Sequence, residues 1–274
     1  MAKCNRCGKK GLFLKVNYEG LCPECEEAVR KERVAKEREK RELAQKKALD
    51  RVNSIPERNI ELSSEKRNRQ KNYEPVKTSN ITPKGVYDQF VAFDTETTGL
   101  APSRDRIVEL CAVRFMDGKP VERFGTLVNP ERPIPPEATA VNNITDSMVA
   151  GAPTISQVLP AFEEFIGNDI LIAHNLEFDL KFLYYSGSNL FETKRKYIDT
   201  LEQAQKILKK PKRKYDPEFE LWDVDYDSDY DVEDHQLDTL CDFYGIVRTG
   251  SHRAGLDALA TGDLFLNLVY EKQA

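Results

Sequence analysis

The amino-acid sequence predicts an α/β protein: a mixed β-sheet flanked by helices, preceded by a small cysteine-containing module. Short runs rich in β-branched and aromatic residues alternate with helical patterns through residues 84–274, as expected when crossover helices join strands of one sheet. The dipeptide Asp117-Gly118 lies between two such runs and predicts one hairpin. Four of the six cysteines lie in residues 1–27. With 274 residues, the chain can form one domain with a full core and a smaller one.

Residues 1–27 contain two Cys-x-x-Cys pairs that are separated by fourteen residues. The four cysteines are Cys4, Cys7, Cys22 and Cys25. Their spacing predicts a tetrahedral site for one structural Zn²⁺, and this segment resembles small zinc ribbons. Because this short segment cannot form a hydrophobic core, metal binding would supply its folding free energy. Two disulfides or a redox motif are the rival interpretations; a cytosolic setting disfavours the first, and the doubling of the motif disfavours the second.

Residues 28–83 are predicted to be a charged helix followed by a flexible linker. Residues 28–51 are dense in Lys, Arg, Glu and Ala, which favours a solvated helix. Residues 52–83 are too polar to bury much surface. Residues 1–83 carry a net charge of +8 and the rest of the chain carries −13. The basic arm either grips a polyanion without sequence preference or only keeps the linker soluble.

The elements of the third region, residues 84–274, follow from local pattern. Strands are predicted at QFVAFDTET, RIVELCAVRF, ERFGTLVN and DILIAHN, and a further strand opens YIDTLEQAQKILKK. Helices are predicted at residues 155–166, LEFDLKFLYYS, the rest of YIDTLEQAQKILKK, HQLDTLCDFYGI and HRAGLDALATGDLFLNLVYE. Cys111 and Cys241 lie within apolar patterns, which indicates core positions rather than metal ligands.

Four carboxylates and one histidine lie at strand ends or helix starts: Asp94, Glu96, Asp179, Asp257 and His252. Asp94 and Glu96 are two residues apart on a strand, so their side chains share one face. Carboxylate oxygen suits hard divalent cations such as Mg²⁺ or Mn²⁺. A neutral histidine beside such a site can take a proton from water near pH 7. The combination predicts metal-dependent hydrolysis of a phosphodiester.

Three segments, DTETTGL (94–100), AHNLEFD (173–179) and HRAGLD (252–257), resemble the three motifs of the DnaQ-like, DEDDh class of 3′→5′ exonucleases. The resemblance covers residues 85–271. This part of the chain is similar to the proofreading exonuclease domain of bacterial DNA polymerase III. It implies a ribonuclease H-like fold. It also implies that the four carboxylates ligate two Mg²⁺ or Mn²⁺ ions and that His252 is the general base.

The resemblance also implies a pocket for the terminal nucleotide. Its residues would be Thr97, Thr98, Gly99, Leu100, Asn175 and Phe178. Core packing is the alternative for Phe178, and His174 is expected to have a structural role at the end of its strand. Residues 211–234 look like an insertion, with ten acidic residues in 216–234. Its composition favours a solvated loop. The alternatives are a cation site and a nucleic-acid mimic that docks a basic partner.

The leading function is a 3′→5′ exonuclease that releases nucleoside monophosphates from DNA 3′ ends, in proofreading or repair. An exoribonuclease of the same fold is the first alternative, since the site residues would be the same. A non-catalytic adaptor that binds partners through the zinc module and the acidic segment is the second. The expected partners are a nucleic-acid 3′ end, DNA rather than RNA, and a polymerase or other protein at the N-terminal module. No apolar run reaches membrane-spanning length, and the N-terminus has no signal-peptide pattern, so a cytoplasmic protein is expected.

Overall fold

A computed structural model describes residues 2–11, 15–17, 19–62, 72–216, 220–247 and 253–274. The chain divides into two compact units, Met1–Lys47 and Ala48–Ala274. We call the first the cysteine module and the second the nuclease domain. Within the described residues, no helix combines the length and the apolar character that crossing a membrane requires.

The cysteine module contains a two-stranded antiparallel hairpin and most of a long charged helix. The strands are β1 (Ala2–Lys3) and β2 (Lys10–Gly11), and the helix is α1 (Pro23–Ser54), which ends within the nuclease domain. Proline in the first turn and the acidic residues that follow it favour a helix start. Ion pairs between residues four apart, such as Lys31–Glu27, lie along the exposed surface of this helix.

The nuclease domain is built on a five-stranded mixed sheet. Its strands are β3 (Gln89–Thr97), β4 (Ile107–Met116), β5 (Lys119–Leu127), β6 (Ile170–Ala173) and β7 (Tyr197–Asp199). Their order is β5-β4-β3-β6-β7, with β3, β4 and β5 antiparallel and β3, β6 and β7 parallel. Asp117 and Gly118 have positive φ angles of 49° and 73°, as a two-residue hairpin turn requires. The mixed sheet and its hairpin confirm the predicted fold class.

Helices cover both faces of this sheet. They are α2 (Pro136–Asn142), α3 (Asp146–Val149), α4 (Ile155–Ile166), α5 (Leu176–Tyr185), a 3₁₀ turn (Leu190–Glu192), α6 (Thr200–Ile207), α7 (Leu237–Tyr244) and α8 (Ala254–Gln273). One core cluster joins α4 and α5 to the sheet, and a second joins α6, α7 and α8 to the sheet. Gly262 allows α8 to approach closely, because a Cβ atom there would lie 2.2 Å from the ring of Phe115.

Segments that precede the sheet pack against it, although the composition of residues 52–83 predicts a flexible linker. Val52, Ile55 and Ile81 are buried in the second core cluster. The Tyr73 hydroxyl donates to Glu177 on α5. The Ser79 amide donates to the Tyr197 carbonyl at 2.7 Å, which covers part of the edge strand β7. The described residues of this segment from Val52 onwards fall in the nuclease domain, because Val52, Ile55 and Ile81 are buried by tertiary contacts.

The acidic segment also differs from the solvated loop that its composition favours. It forms a two-stranded antiparallel hairpin of β8 (Lys212–Asp216) and β9 (Leu221–Asp225). Lys212 pairs with Asp225 across the strands, and Lys214 pairs with Asp223. Opposite charges at directly paired positions stabilise a hairpin. The amino-acid composition of the segment does not show which residues pair.

Candidate active site

Three of the predicted carboxylates meet at the end of β3. Asp94 and Glu96 are on the face of the sheet that α8 crosses, and Asp257 lies in the first turn of α8. One carboxylate oxygen from each of the three lies within 4.8 Å of the others. Glu96 and Asp257 are buried. The register between β3 and β4 shifts after Glu96, so the regular ladder ends at the site.

The fourth carboxylate, Asp179, approaches the same strand end from α5. Its Oδ1 atom accepts hydrogen bonds from the Thr95 amide at 3.0 Å and from the Thr95 hydroxyl at 2.6 Å. Thr95 lies between Asp94 and Glu96, so its side chain is on the opposite face of the strand. Burial raises the pKa of Asp179 to about 7, although the two hydrogen bonds from Thr95 oppose that shift. Thr95 thus links Asp179 directly to the strand that carries the other carboxylates.

Asp199 holds the backbone that leads into α5. Its two carboxylate oxygens accept the amides of Asn175 at 3.0 Å and Leu176 at 3.1 Å, and Oδ1 also caps α6 through Leu201. Asn175 has a left-handed conformation, with φ of 64°. Burial raises the pKa of Asp199. The sequence did not single out Asp199. The one feature that could have indicated its role is its position between a strand and a helix, where an acidic residue can cap the helix.

A second residue that the sequence did not single out, Glu109, anchors the start of α8. Glu109 is the cross-strand partner of Glu96 and is buried. Its carboxylate accepts Nη2 of Arg253 at 2.7 Å and the first amide of the helix, from Ala254, at 3.0 Å. The Arg253 carbonyl in turn accepts the Asp257 amide at 3.1 Å. This chain of contacts fixes the turn that carries Asp257.

His252, the general base that the resemblance implies, lies outside the described residues. It immediately precedes Arg253 in the sequence. The other two histidines have structural contacts. Nε2 of His174 donates to the His235 carbonyl, and Nε2 of His235 donates to the Leu208 carbonyl, each at 3.0 Å. His235 thus joins the end of α6 to the start of α7, and does not cap the helix that follows it.

A cavity of about 1130 Å³ opens at the four carboxylates. All six residues that the resemblance assigns to the terminal nucleotide border it: Thr97, Thr98, Gly99, Leu100, Asn175 and Phe178. Leu100 is 84% exposed, so its side chain projects into open space. Phe178 also packs against Phe182 and the first core cluster, so its core and cavity roles coexist. A Cβ atom at Gly99 would lie 2.5 Å from the Asp105 carboxylate, so a larger residue there would displace that side chain.

A protein-family model described as Exonuclease matches residues 91–265. The chain belongs to the exonuclease family. The matched residues begin within β3 and end within α8, so they include Asp94, Glu96, Asp179 and Asp257. The family uses divalent metal ions, and its members are nucleases.

Relatives of this exonuclease include polymerases that are much longer than it is. The chain is 39% identical over 193 residues to DNA polymerase III PolC-type of Oceanobacillus iheyensis, a match of 69% of this chain and 12% of the relative. The corresponding protein of Bacillus subtilis is 36% identical over 185 residues, 66% of this chain and 11% of the relative. The chain therefore spans about one eighth of the length of these relatives.

Solved structures share the fold of the nuclease domain. The E. coli Exonuclease I in complex with a dT13 oligonucleotide superposes with a TM-score of 0.52 at 18% identity, and the match covers 68% of this chain and 41% of that one. Exonuclease I of Methylocaldum szegediense gives a TM-score of 0.50 at 20% identity, over 68% and 40%. These likenesses support the ribonuclease H-like architecture that the sequence resemblance implies.

The exonuclease also contains a cluster of four sulfur ligands in its cysteine module. The Sγ atoms of Cys4, Cys7, Cys22 and Cys25 lie within 4.8 Å of one another. The Cys7 and Cys22 sulfurs are 3.8 Å apart. Zn–S bonds of about 2.3 Å in a tetrahedron place sulfurs about 3.8 Å apart, whereas a disulfide requires about 2.05 Å. The arrangement therefore fits a metal and not two disulfides.

Backbone contacts orient these sulfurs. The Cys22 amide donates to Cys4 Sγ at 3.3 Å, and hydrogen bonds from the backbone of Cys22 and Cys7 lower the pKa of Cys4 to about 6. Burial and hydrogen bonding to the neighbouring thiols raise the pKa of Cys25 to about 12. Four thiolates so close together repel each other, so the fully ionised set requires a cation.

Proposed function

We propose that the nuclease domain is a metal-dependent 3′→5′ exonuclease that releases nucleoside monophosphates from DNA 3′ ends. The observation that carries this proposal is the meeting of Asp94, Glu96 and Asp257 within 4.8 Å at the wall of a large cavity, with Asp179 bound to the same strand. The cavity exceeds the size of most small-molecule sites, which suits a polymeric substrate. The names of the polymerase relatives and the oligonucleotide bound to E. coli Exonuclease I support DNA as that substrate.

Asp94, Glu96, Asp179 and Asp257 would hold two Mg²⁺ or Mn²⁺ ions. Their hard oxygen donors suit these cations, and clustered carboxylates are stabilised when a cation neutralises them. Two bound ions would supply an activated water molecule and stabilisation of the leaving 3′ oxygen. In this assignment Thr95 orients Asp179, and the Glu109–Arg253 pair orients Asp257.

The remaining roles follow the same assignment. His252 takes the proton of the attacking water, which requires its neutral form. Thr97, Thr98, Gly99 and Leu100 hold the terminal nucleotide, with Asn175 and Phe178 in the same pocket. The Thr97 hydroxyl donates to the Gly99 carbonyl at 2.7 Å, and the Thr98 hydroxyl accepts the Arg106 amide at 2.9 Å. These bonds fix the loop whose backbone would face the nucleotide.

In the same proposal, the cysteine module binds one structural Zn²⁺ through Cys4, Cys7, Cys22 and Cys25. It would serve the nuclease by binding nucleic acid or a protein partner such as a polymerase, since the nuclease domain contains the whole catalytic set. Proofreading or repair in the cytoplasm is the corresponding biological role, in keeping with the names of the relatives.

The test is digestion of 3′-labelled single-stranded DNA, duplex DNA and RNA of matched sequence in Mg²⁺, with product analysis. We expect release of 5′-mononucleotides from DNA, lowered on the order of 10³-fold or more by Asp94→Asn, because several kcal/mol of metal-assisted stabilisation is lost. Asp117→Asn is the matched control, because Asp117 lies exposed in the β4–β5 turn.

Three outcomes contradict parts of the proposal. Faster release from RNA would replace DNA with RNA as the substrate. Undiminished release by Asp94→Asn would remove this residue from the metal site. No release from any polymer by the wild-type chain would favour the adaptor that the sequence left as an alternative.

A further inference from the structure

Among the Asp, Glu, Lys and Arg residues that border the cavity at the carboxylates, all but one are acidic. Seven Asp and Glu residues border it, whereas Lys210 is the sole Lys or Arg among the described residues that do so. The proposed substrate is a polyanion, and bound metal ions would neutralise charge only near their own ligands. A cation elsewhere in the cavity is therefore placed to meet a different phosphate.

Lys210 differs from Lys206 and Lys209, the two lysines that precede it. Nζ of Lys209 donates to Asp229 at 2.7 Å, and Nζ of Lys206 donates to Asn80 at 2.6 Å. Within the part of the chain that the structure describes, Lys210 makes no such hydrogen bond or ion pair, and its side chain is exposed. Its ammonium group is therefore available to an external anion, whereas that of Lys209 is already paired.

The backbone around Lys210 is held firmly. The Leu208 carbonyl accepts the ring of His235 at 3.0 Å, and the Lys209 carbonyl accepts the amides of Asp231 at 2.9 Å and Val232 at 3.2 Å. Pro211 follows Lys210 and restricts its backbone further. A flexible side chain thus projects from a fixed point on the cavity wall.

The sheet order indicates which phosphate Lys210 would meet. Ala138 of α2 borders the cavity and packs on the cluster around Val108 of β4. Lys210 follows α6, and α6 follows β7 at the opposite edge of the sheet. Strand β3 and its carboxylates lie between these two sides. A strand whose terminal nucleotide lies in the Thr97–Leu100 loop, on the α2 side, therefore continues past the carboxylates towards Lys210.

We propose that Lys210 binds the internucleotide phosphate immediately 5′ of the scissile linkage. This inference rests on the proposed exonuclease function and adds a binding subsite for the penultimate nucleotide. Lysine suits this role because its ammonium group presents three donors as a point charge and needs no fixed phosphate orientation. The contact is to the sugar–phosphate backbone, so it is independent of base sequence.

The experiment compares Lys210→Ala with its neighbour Lys209→Ala in the full chain. One substrate is single-stranded oligothymidylate. The other is the p-nitrophenyl ester of thymidine 5′-monophosphate, which has a scissile phosphate but no second nucleotide. We expect Lys210→Ala to lower kcat/KM on the oligonucleotide about tenfold or more, mainly through KM, with the loss confined to that substrate. Lys209→Ala should leave both activities unchanged, and Lys210→Arg should restore most of the loss.

Salt dependence gives a second measurement. The slope of log kcat/KM against log salt concentration should decrease in magnitude by about 0.7 in Lys210→Ala, as expected for one lost phosphate contact on a single strand. An oligonucleotide rate equal to wild type, an equal loss on both substrates, or an equal loss in Lys209→Ala would each overturn the proposal. A wild-type chain that cleaves neither substrate would overturn the exonuclease function, and this subsite with it.

Discussion

The cysteine module and the nuclease domain each contain a candidate metal site, and the two sites differ in their relation to the hydrophobic core. Among the described residues of the module, the buried apolar cluster consists of Cys4, Leu21 and Cys22, so two of its three members are candidate ligands. In the nuclease domain, two large clusters fill both sides of a sheet, and the carboxylates lie at the end of one strand. The candidate ligands form most of the described core in the first unit, whereas in the second they lie beside the core.

This difference changes what a metal contributes. A module with so little apolar burial needs the free energy of metal binding in order to fold. A domain with a full core can instead hold mutually repelling, partly desolvated carboxylates together before any metal binds. Loss of zinc should therefore remove structure, whereas loss of the divalent ions should remove activity and leave a folded domain with unneutralised repulsion between its carboxylates.

The largest expected effect is the loss of the module when its ligands are changed. Replacing Cys4 and Cys7 with Ser should remove about one equivalent of zinc and unfold the module, since structural Zn²⁺ contributes about 10–16 kcal/mol in small zinc domains. Elemental analysis and amide NMR spectra would measure both changes, and release of mononucleotides from a short oligonucleotide should persist. Cys111→Ala is the control, because Cys111 is buried in the nuclease domain. Retained zinc in the double variant would contradict the four-sulfur site.

A second test compares two truncated chains. A chain that begins at Ala48 retains Val52, Ile55 and Ile81, whereas a chain that begins at Lys84 lacks all three. Burial of one such aliphatic side chain contributes about 1.5–3 kcal/mol, so the shorter chain should lose several kcal/mol of unfolding free energy. Urea denaturation of the two would measure the difference. Equal midpoints would show that residues 52–83 are the linker that their composition suggests.

The local parts of the site could be predicted from the sequence, whereas the contacts that orient them could not. Asp94 and Glu96 are detectable because a period of two fixes their common face within one strand. Thr95 and Asp179 are 84 residues apart, so only the packed fold shows their hydrogen bond. Glu109 lies in an apolar strand, and its role depends on the register that pairs it with Glu96.

Composition does not report pairing between residues or the burial of isolated side chains. Residues 52–83 read as a linker because their apolar residues are few, yet Ile81 is 2% exposed. The charge of residues 211–234 is typical of a solvated loop, yet within this segment Lys212 and Asp225 are paired across a hairpin. The average composition of a segment does not show which residue each side chain contacts. Those contacts are made with distant parts of the chain or across a turn.

The smallest expected effect concerns the electrostatic strain of the carboxylate site. Burial raises the pKa of Asp179 from 3.8 to about 7, so between these values the metal-free folded state binds more protons than the unfolded state. Stability from this residue is therefore highest at low pH and falls as pH rises from about 4 to about 7. Asp179→Asn removes that dependence while its amide oxygen can still accept the Thr95 bonds.

The test is urea denaturation of the full chain at pH 5 and pH 8. Mg²⁺ and Mn²⁺ are left out, so the carboxylate site is metal-free, and zinc stays bound to the cysteine module. Wild-type protein should lose more unfolding free energy between these two pH values than Asp179→Asn, although the variant should be inactive. Asp117→Asn makes the same chemical change at an exposed turn and should behave as wild type. Addition of Mg²⁺ at pH 8 should stabilise the wild type more than Asp179→Asn, because the variant lacks one ligand. Identical pH dependence in all three proteins would show that the fold holds Asp179 without strain, and the contrast between the two metal sites would then rest on the zinc module alone.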